Sequence, residues 1–180
     1  YLYRSPASVL ASTFAAFVLA FVSIGVVGRE LAVAWMAVQI AISGCRVYVW
    51  VLSRSRRITV ANHRRWALIY EAGLMASAVT WAVPSILLYT TPLPIDTVTL
   101  YGACVAALGA GAVFSFAICW RSFVAYLIVV IVPPVSGMLM SEQPAVQTLG
   151  VAGLPYFGAV AIWGRVVSRT LAESIALRLE

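Results

Sequence analysis

Six runs of about twenty apolar residues follow one another along this chain, and they constrain its fold more than any motif does. They cover 8–27, 31–52, 66–89, 97–119, 122–140 and 145–164. Each matches the ~20 residues that an α-helix needs to cross a ~30 Å hydrocarbon core. In that medium every backbone polar group must be satisfied within the protein, which helices achieve segment by segment. The fold expected is all-α: an integral-membrane bundle of six transmembrane helices. Composition excludes the soluble alternative. Hydrophobic residues make up 63% of the 180 positions and charged residues 10%, with a mean hydropathy of +0.98. Soluble domains carry about a quarter charged residues, enough to cover a surface in water.

The breaks between runs set the topology. Gly28-Arg29-Glu30 ends the first run, and a charged stretch over 53–65 separates the second from the third. Thr91-Pro92-Leu93-Pro94 is a turn signal, Trp120 and Arg121 part the fourth run from the fifth, and Ser141 to Pro144 precede the sixth. In a six-span arrangement, Arg4, the arginines of 54–65, Arg121, Arg165, Arg169 and Arg178 share one side, ten of the twelve in the chain. Glu30, Asp96 and Glu142 occupy the other. Basic residues stay on the cytoplasmic side, so both termini are expected there, with Trp50, Trp66, Trp120 and Trp163 at the inner interface and Trp35, Tyr89 and Tyr101 at the outer one. The net charge of +6 is then a topology signal, and a nucleic-acid partner is not expected. The basic residues are all Arg, which with abundant Ala and Val suggests a GC-rich bacterial genome and a multi-pass protein of the bacterial inner membrane.

Outside loops of three to about seven residues leave no room for an extramembrane ligand-binding domain. The first run lacks a cleavage site and reads as an uncleaved anchor, and the chain reads as trimmed at both ends. After Gly164 the pattern changes: Ser168, Ala172, Ile175 and Leu179 fall at spacings of four, three and four, with Arg169 and Glu173 paired at i,i+4. The chain therefore divides into a membrane domain, 1–164, and a cytoplasmic helical stub, 165–180, that begins at Arg165.

No enzyme motif is present. One histidine, His63, builds neither a metal site nor a catalytic relay. Gly109-Ala110-Gly111-Ala112 lacks the residues of a phosphate loop, and Cys45, Cys104 and Cys119 read as small apolar fillers. The expectation is a non-enzymatic domain without metal or cofactor. Polar residues inside runs are costly unless partnered, so they are the site candidates: Gln39, Glu71, Ser77, Thr80 and Ser115, with Trp81 beside them. Arg46 and Glu71 lie at matching depth on consecutive runs, a spacing that predicts an ion pair, the alternative being that each snorkels separately toward the cytoplasm. Gly102, Ala106, Gly109, Ala110 and Gly111 offer a small-residue track for close helix contact, within the chain or across a homodimer. Pro84, Pro133, Pro134 and Pro155 predict kinks, and Pro133-Pro134 is the candidate cavity wall.

The motifs Leu2-Tyr3-Arg4, Glu30-Leu31 with Trp35, Arg65-Trp66, Trp81, Gly109-Ala110-Gly111-Ala112, Phe123 to Pro134, Arg169-Thr170-Leu171-Ala172-Glu173-Ser174 and Leu177-Arg178-Leu179-Glu180 together resemble the N-terminal multi-pass sensor modules of proteobacterial signalling proteins. Those modules often carry Trp-Gly in the third span, where this chain has Trp81-Ala82. The resemblance implies a dimeric sensory input domain ahead of a histidine kinase, diguanylate cyclase or phosphodiesterase. The resemblance names no ligand; the short outside loops make a small apolar or amphiphilic signal the natural expectation for a sensor. A small transporter or channel, and a passive membrane anchor, are the rival expectations.

Overall fold

The computed structural model describes residues 7–55, 63–116 and 120–176, and among these it contains helices and short connections but no strand. Helix α1 is Ala7–Val27, α2 Arg29–Ser55, α3 His63–Ala82, α4 Ser85–Thr90, α5 Ile95–Phe116, α6 Trp120–Leu139 and α7 Pro144–Ala176. With α3 and α4 counted together, six helical segments are long and apolar enough to cross a membrane, as expected of a multi-pass membrane protein. Their outward surfaces agree with lipid as the surrounding solvent. Leu10, Phe14, Phe17 and Phe21 form one exposed stripe along α1, an apolar face that water would penalise.

The chain forms two compact units, one ending at Trp81 and the other running from Ala82. In the first, α1 and α2 are an antiparallel hairpin joined by Gly28 alone. Gly28 has φ of 85°, a left-handed conformation that glycine adopts without a Cβ clash. Arg29 and Glu30, expected to lie in the break, instead form the first turn of α2. Small residues let the two helices meet closely, and the Thr13 hydroxyl bonds the Ser43 hydroxyl at 2.8 Å. Helix α3 reaches α2 through longer side chains. Trp35 Nε1 donates to the Thr80 carbonyl at 2.8 Å, and the Trp35 and Trp81 rings stand edge to face, 5.6 Å apart at 89°.

In the second unit α6 is the hub, packed by α4, α5 and α7, while α5 also packs on α7. Glycine makes the closest of these approaches possible. A Cβ on Gly137 would lie 2.9 Å from Leu88 Cβ of α4, and one on Gly153 would lie 2.7 Å from Val135 Cγ2. Of the four prolines expected to disturb helices, only Pro84 separates two of them. Helix α6 runs through Pro133 and Pro134, and α7 through Pro155. At Pro84 the backbone is satisfied locally: Ser85 Oγ donates to the Ala82 carbonyl, and Ile86 and Leu87 N–H groups take those of Val83 and Pro84.

Candidate functional site

The buried polar residues of the first unit are spread over its three helices: Ser12 on α1, Gln39, Ser43 and Ser53 on α2, and Ser77 on α3. Along α2 the inward positions are Ala32, Trp35, Gln39, Ser43 and Arg46, at the three- and four-residue spacing of one helix face. Gln39 is 1% exposed, and its Nε2 has no hydrogen-bond partner among the described residues. Ser77 is buried on α3, and Thr80 Oγ1 bonds back to the Ser77 carbonyl at 2.9 Å. Trp81 is fully buried. Arg46 is half-buried: its stem covers Gly73, where a Cβ would stand 3.2 Å from Arg46 Cγ, and its guanidinium donates a hydrogen bond to the Tyr70 hydroxyl. Glu71, the partner expected for Arg46, follows Tyr70 directly and is half-buried on α3. The side chain of Ser115 lies outside the described residues, as do those of His63 and Cys119.

Two residues expected as outward-facing interface anchors face inward instead. Tyr101 is 3% exposed and hydrogen-bonds Ser85, while Trp35 is held by Thr80. Tyr89 stays partly exposed, yet its hydroxyl reaches α6, where it donates to the Pro133 carbonyl at 3.0 Å and lies 2.6 Å from Ser136 Oγ. Each tyrosine joins helices by bringing a hydroxyl to a polar atom that lipid could not satisfy.

The second unit holds a cavity of about 320 Å³ between α5, α6 and α7. Its α6 wall is Ile131, Pro134, Val135 and Met138, while Pro133 turns its carbonyl to Tyr89. Gly102 and Ala106 line it from α5. Tyr156 lines it from α7, with its hydroxyl donating to the Ala106 carbonyl and lying where a Cβ on Gly109 would come within 3.3 Å. Gly102, Ala106 and Gly109 thus face the interior, whereas Ala110 and Gly111 of the same track are exposed. Ala103, Val105 and Ala152 line it too, as do Thr99, Leu149, Gly153 and Tyr156, which were not singled out from sequence. Only Tyr156 carried a signal, as a hydroxyl placed twelve residues into the last apolar run. Among the described residues no group of three His, Cys, Asp or Glu side chains is placed to hold a metal ion.

No protein-family model matches the chain, and neither do curated proteins or solved structures. The site has to be read from its own geometry.

That geometry centres on α7. Four cavity-lining residues, Leu149, Ala152, Gly153 and Tyr156, belong to it. Beyond them the same helix crosses α6 at Gly164, where a Cβ would run into the Phe123 ring, and continues through exposed Arg165 and Arg169 to Ala176. Ser168 is half-buried and Ala172 exposed along this extension. Ile175 is helical, but its side chain lies outside the described residues, as does Leu179 altogether. The arrangement links an apolar cavity to a helix that runs on to Ala176.

Proposed function

We propose that the chain is a membrane-embedded sensory input domain of a bacterial signalling protein. It lies in the inner membrane as a homodimer, with both ends in the cytoplasm. Its last helix relays the signal to a cytoplasmic output domain of the histidine kinase or diguanylate cyclase type. The observation that carries this reading is the unbroken course of α7 from Pro144 to Ala176. At 1.5 Å per residue it is about 50 Å long, against about 30 Å of hydrocarbon. Exposed Trp163, followed by Gly164 and Arg165, marks the point where it leaves the apolar phase. A continuous helix has no joint to absorb a rotation or a piston shift, so motion beside Tyr156 reaches Arg165, Ser168, Ala172 and Ile175. The signal must favour one of two arrangements, or nothing is transmitted.

The test is helical phase in the full-length protein. Seven residues inserted after Arg169 preserve the heptad register, whereas four shift it. A relay keeps its response with the first insertion and loses it, or locks in one state, with the second. Equal output from both would make the domain a passive anchor.

One observation favours transport as a second reading: the third span is divided at Val83-Pro84, and transporters bind cargo at broken helices. Against it, the carbonyls of Ala82, Val83 and Pro84 are already accepting hydrogen bonds and leave no ring of free oxygens. Cation uptake into proteoliposomes that is abolished by Pro84→Ala would favour transport over relay.

A further inference from the structure

The cavity of the second unit has a chemistry more specific than apolarity. Its two lining hydroxyls are committed within the protein, Thr99 Oγ1 to the Ile95 carbonyl at 2.8 Å and Tyr156 to Ala106. A water molecule needs two to four polar partners to settle in such a space, and these two hydroxyls, their protons spent, offer it only lone pairs. At about 320 Å³ the cavity stands at the lower limit of small-molecule sites, which run from about 300 to 1,000 Å³. It therefore admits one slender molecule and not a lipid with two chains. Its mouth lies between Thr99 and Ala103 of α5 and Ala152 of α7, all exposed and all within apolar spans, so entry is sideways from the bilayer.

The charges around the mouth select further. Gln143 Nε2 bonds the Leu93 carbonyl, which brings the 140–143 connection and the start of α5 to one end of this unit. At that end stand Asp96, one turn from Thr99, and Glu142, both acidic and exposed. The described arginines of the unit, Arg121, Arg165 and Arg169, lie toward the opposite ends of α6 and α7. A carboxylate or phosphate headgroup at the mouth would meet like charge with no counterion. From these observations we infer that the α5–α6–α7 cavity binds a neutral, single-chain apolar molecule taken laterally from the membrane. As the entry point of a signal into α7 this rests on the sensory reading above; as a binding site it stands without it.

The experiment uses the whole chain in lipid nanodiscs and two photoreactive probes, a medium-chain alcohol carrying an alkyl diazirine and the carboxylic acid of equal length. The alcohol labels Met138 and Tyr156 saturably, and the acid labels them at least about tenfold less, the scale of one unfavourable charge near a surface. Ala103→Phe and Ala152→Phe each block one lip from its exposed side. Each lowers labelling by about tenfold or more, as loss of the pocket's apolar contacts requires. Ala107→Phe, exposed one turn away on α5 and outside the lining, leaves it unchanged. Unsaturable labelling, equal labelling by the acid, or full labelling of both lip variants would overturn the assignment. Saturable labelling of the cavity with unchanged cysteine cross-linking along 165–174 would uphold the site and overturn the relay.

Discussion

A single amide illustrates how residue chemistry is priced in this protein. Gln39 is buried mid-span with its Nε2 unpartnered among the described residues, and a buried donor without an acceptor costs about 1–3 kcal/mol. Gln39→Leu removes that donor and keeps similar volume, so unfolding in mixed micelles should show unchanged or higher stability. A loss of 1 kcal/mol or more would mean that the amide holds a partner in the bilayer. Gly164 gives the opposite sign. The Phe123 ring occupies the space that a Cβ would need, so Gly164→Ala should destabilise by about 1–3 kcal/mol, the usual cost of overpacking. Phe123→Ala in the same chain should relieve part of that cost, and a strictly additive double variant would deny the contact. Gln39 was legible in the sequence because polarity inside an apolar run stands out by itself. Gly164 was not, since its role depends on which ring of another helix lies opposite.

At the scale of elements, the limits of the spans were largely readable because hydropathy is recorded along one dimension. The first run, 8–27, becomes Ala7–Val27, and the fifth, 122–140, becomes Trp120–Leu139. What proline does was not readable, because four prolines in apolar runs look alike. Pro84 ends a helix where Ser85 and the next two N–H groups supply new partners, whereas Pro133 and Pro134 stay inside α6. Gly28 is the decisive residue of the α1–α2 hairpin. Gly28→Ala should cost about 1–2 kcal/mol, the penalty of a left-handed conformation for a residue with a Cβ, and Gly28→Asn should cost less, since asparagine tolerates that region. With Thr13→Cys and Ser43→Cys both reduced, the temperature at which a brief pulse of oxidant no longer joins the two thiols reports on the opening of this hairpin directly. Equal stability of the alanine and asparagine variants would show that φ at Gly28 is not what limits it.

For the whole molecule, the proposed topology makes a direct prediction. Reporters fused before Ala7 and after Ala176 should both be active in the cytoplasm, and one inserted in the 91–94 connection should be active outside; any reversed pair would refute the arginine argument. The division into two units at Trp81 and Ala82 was not legible, since it falls inside one continuous apolar run. Nor was most of the cavity. Sequence marked Pro134 and the Gly102–Gly109 track, but Ile131, Val135, Leu149 and Tyr156 become neighbours only through the register of three helices.

The junction at Gly28 also bears on how such a chain enters a bilayer. Two helices joined by one residue present no polar loop to be carried across, so α1 and α2 can insert as a single folded wedge. In the proposed orientation only Arg29 and Glu30, at the very tip, have to pass the hydrocarbon, while the arginines that follow α2 hold its other end back. Biogenesis of the first two spans then becomes one event, and the third span starts from a hairpin already in place.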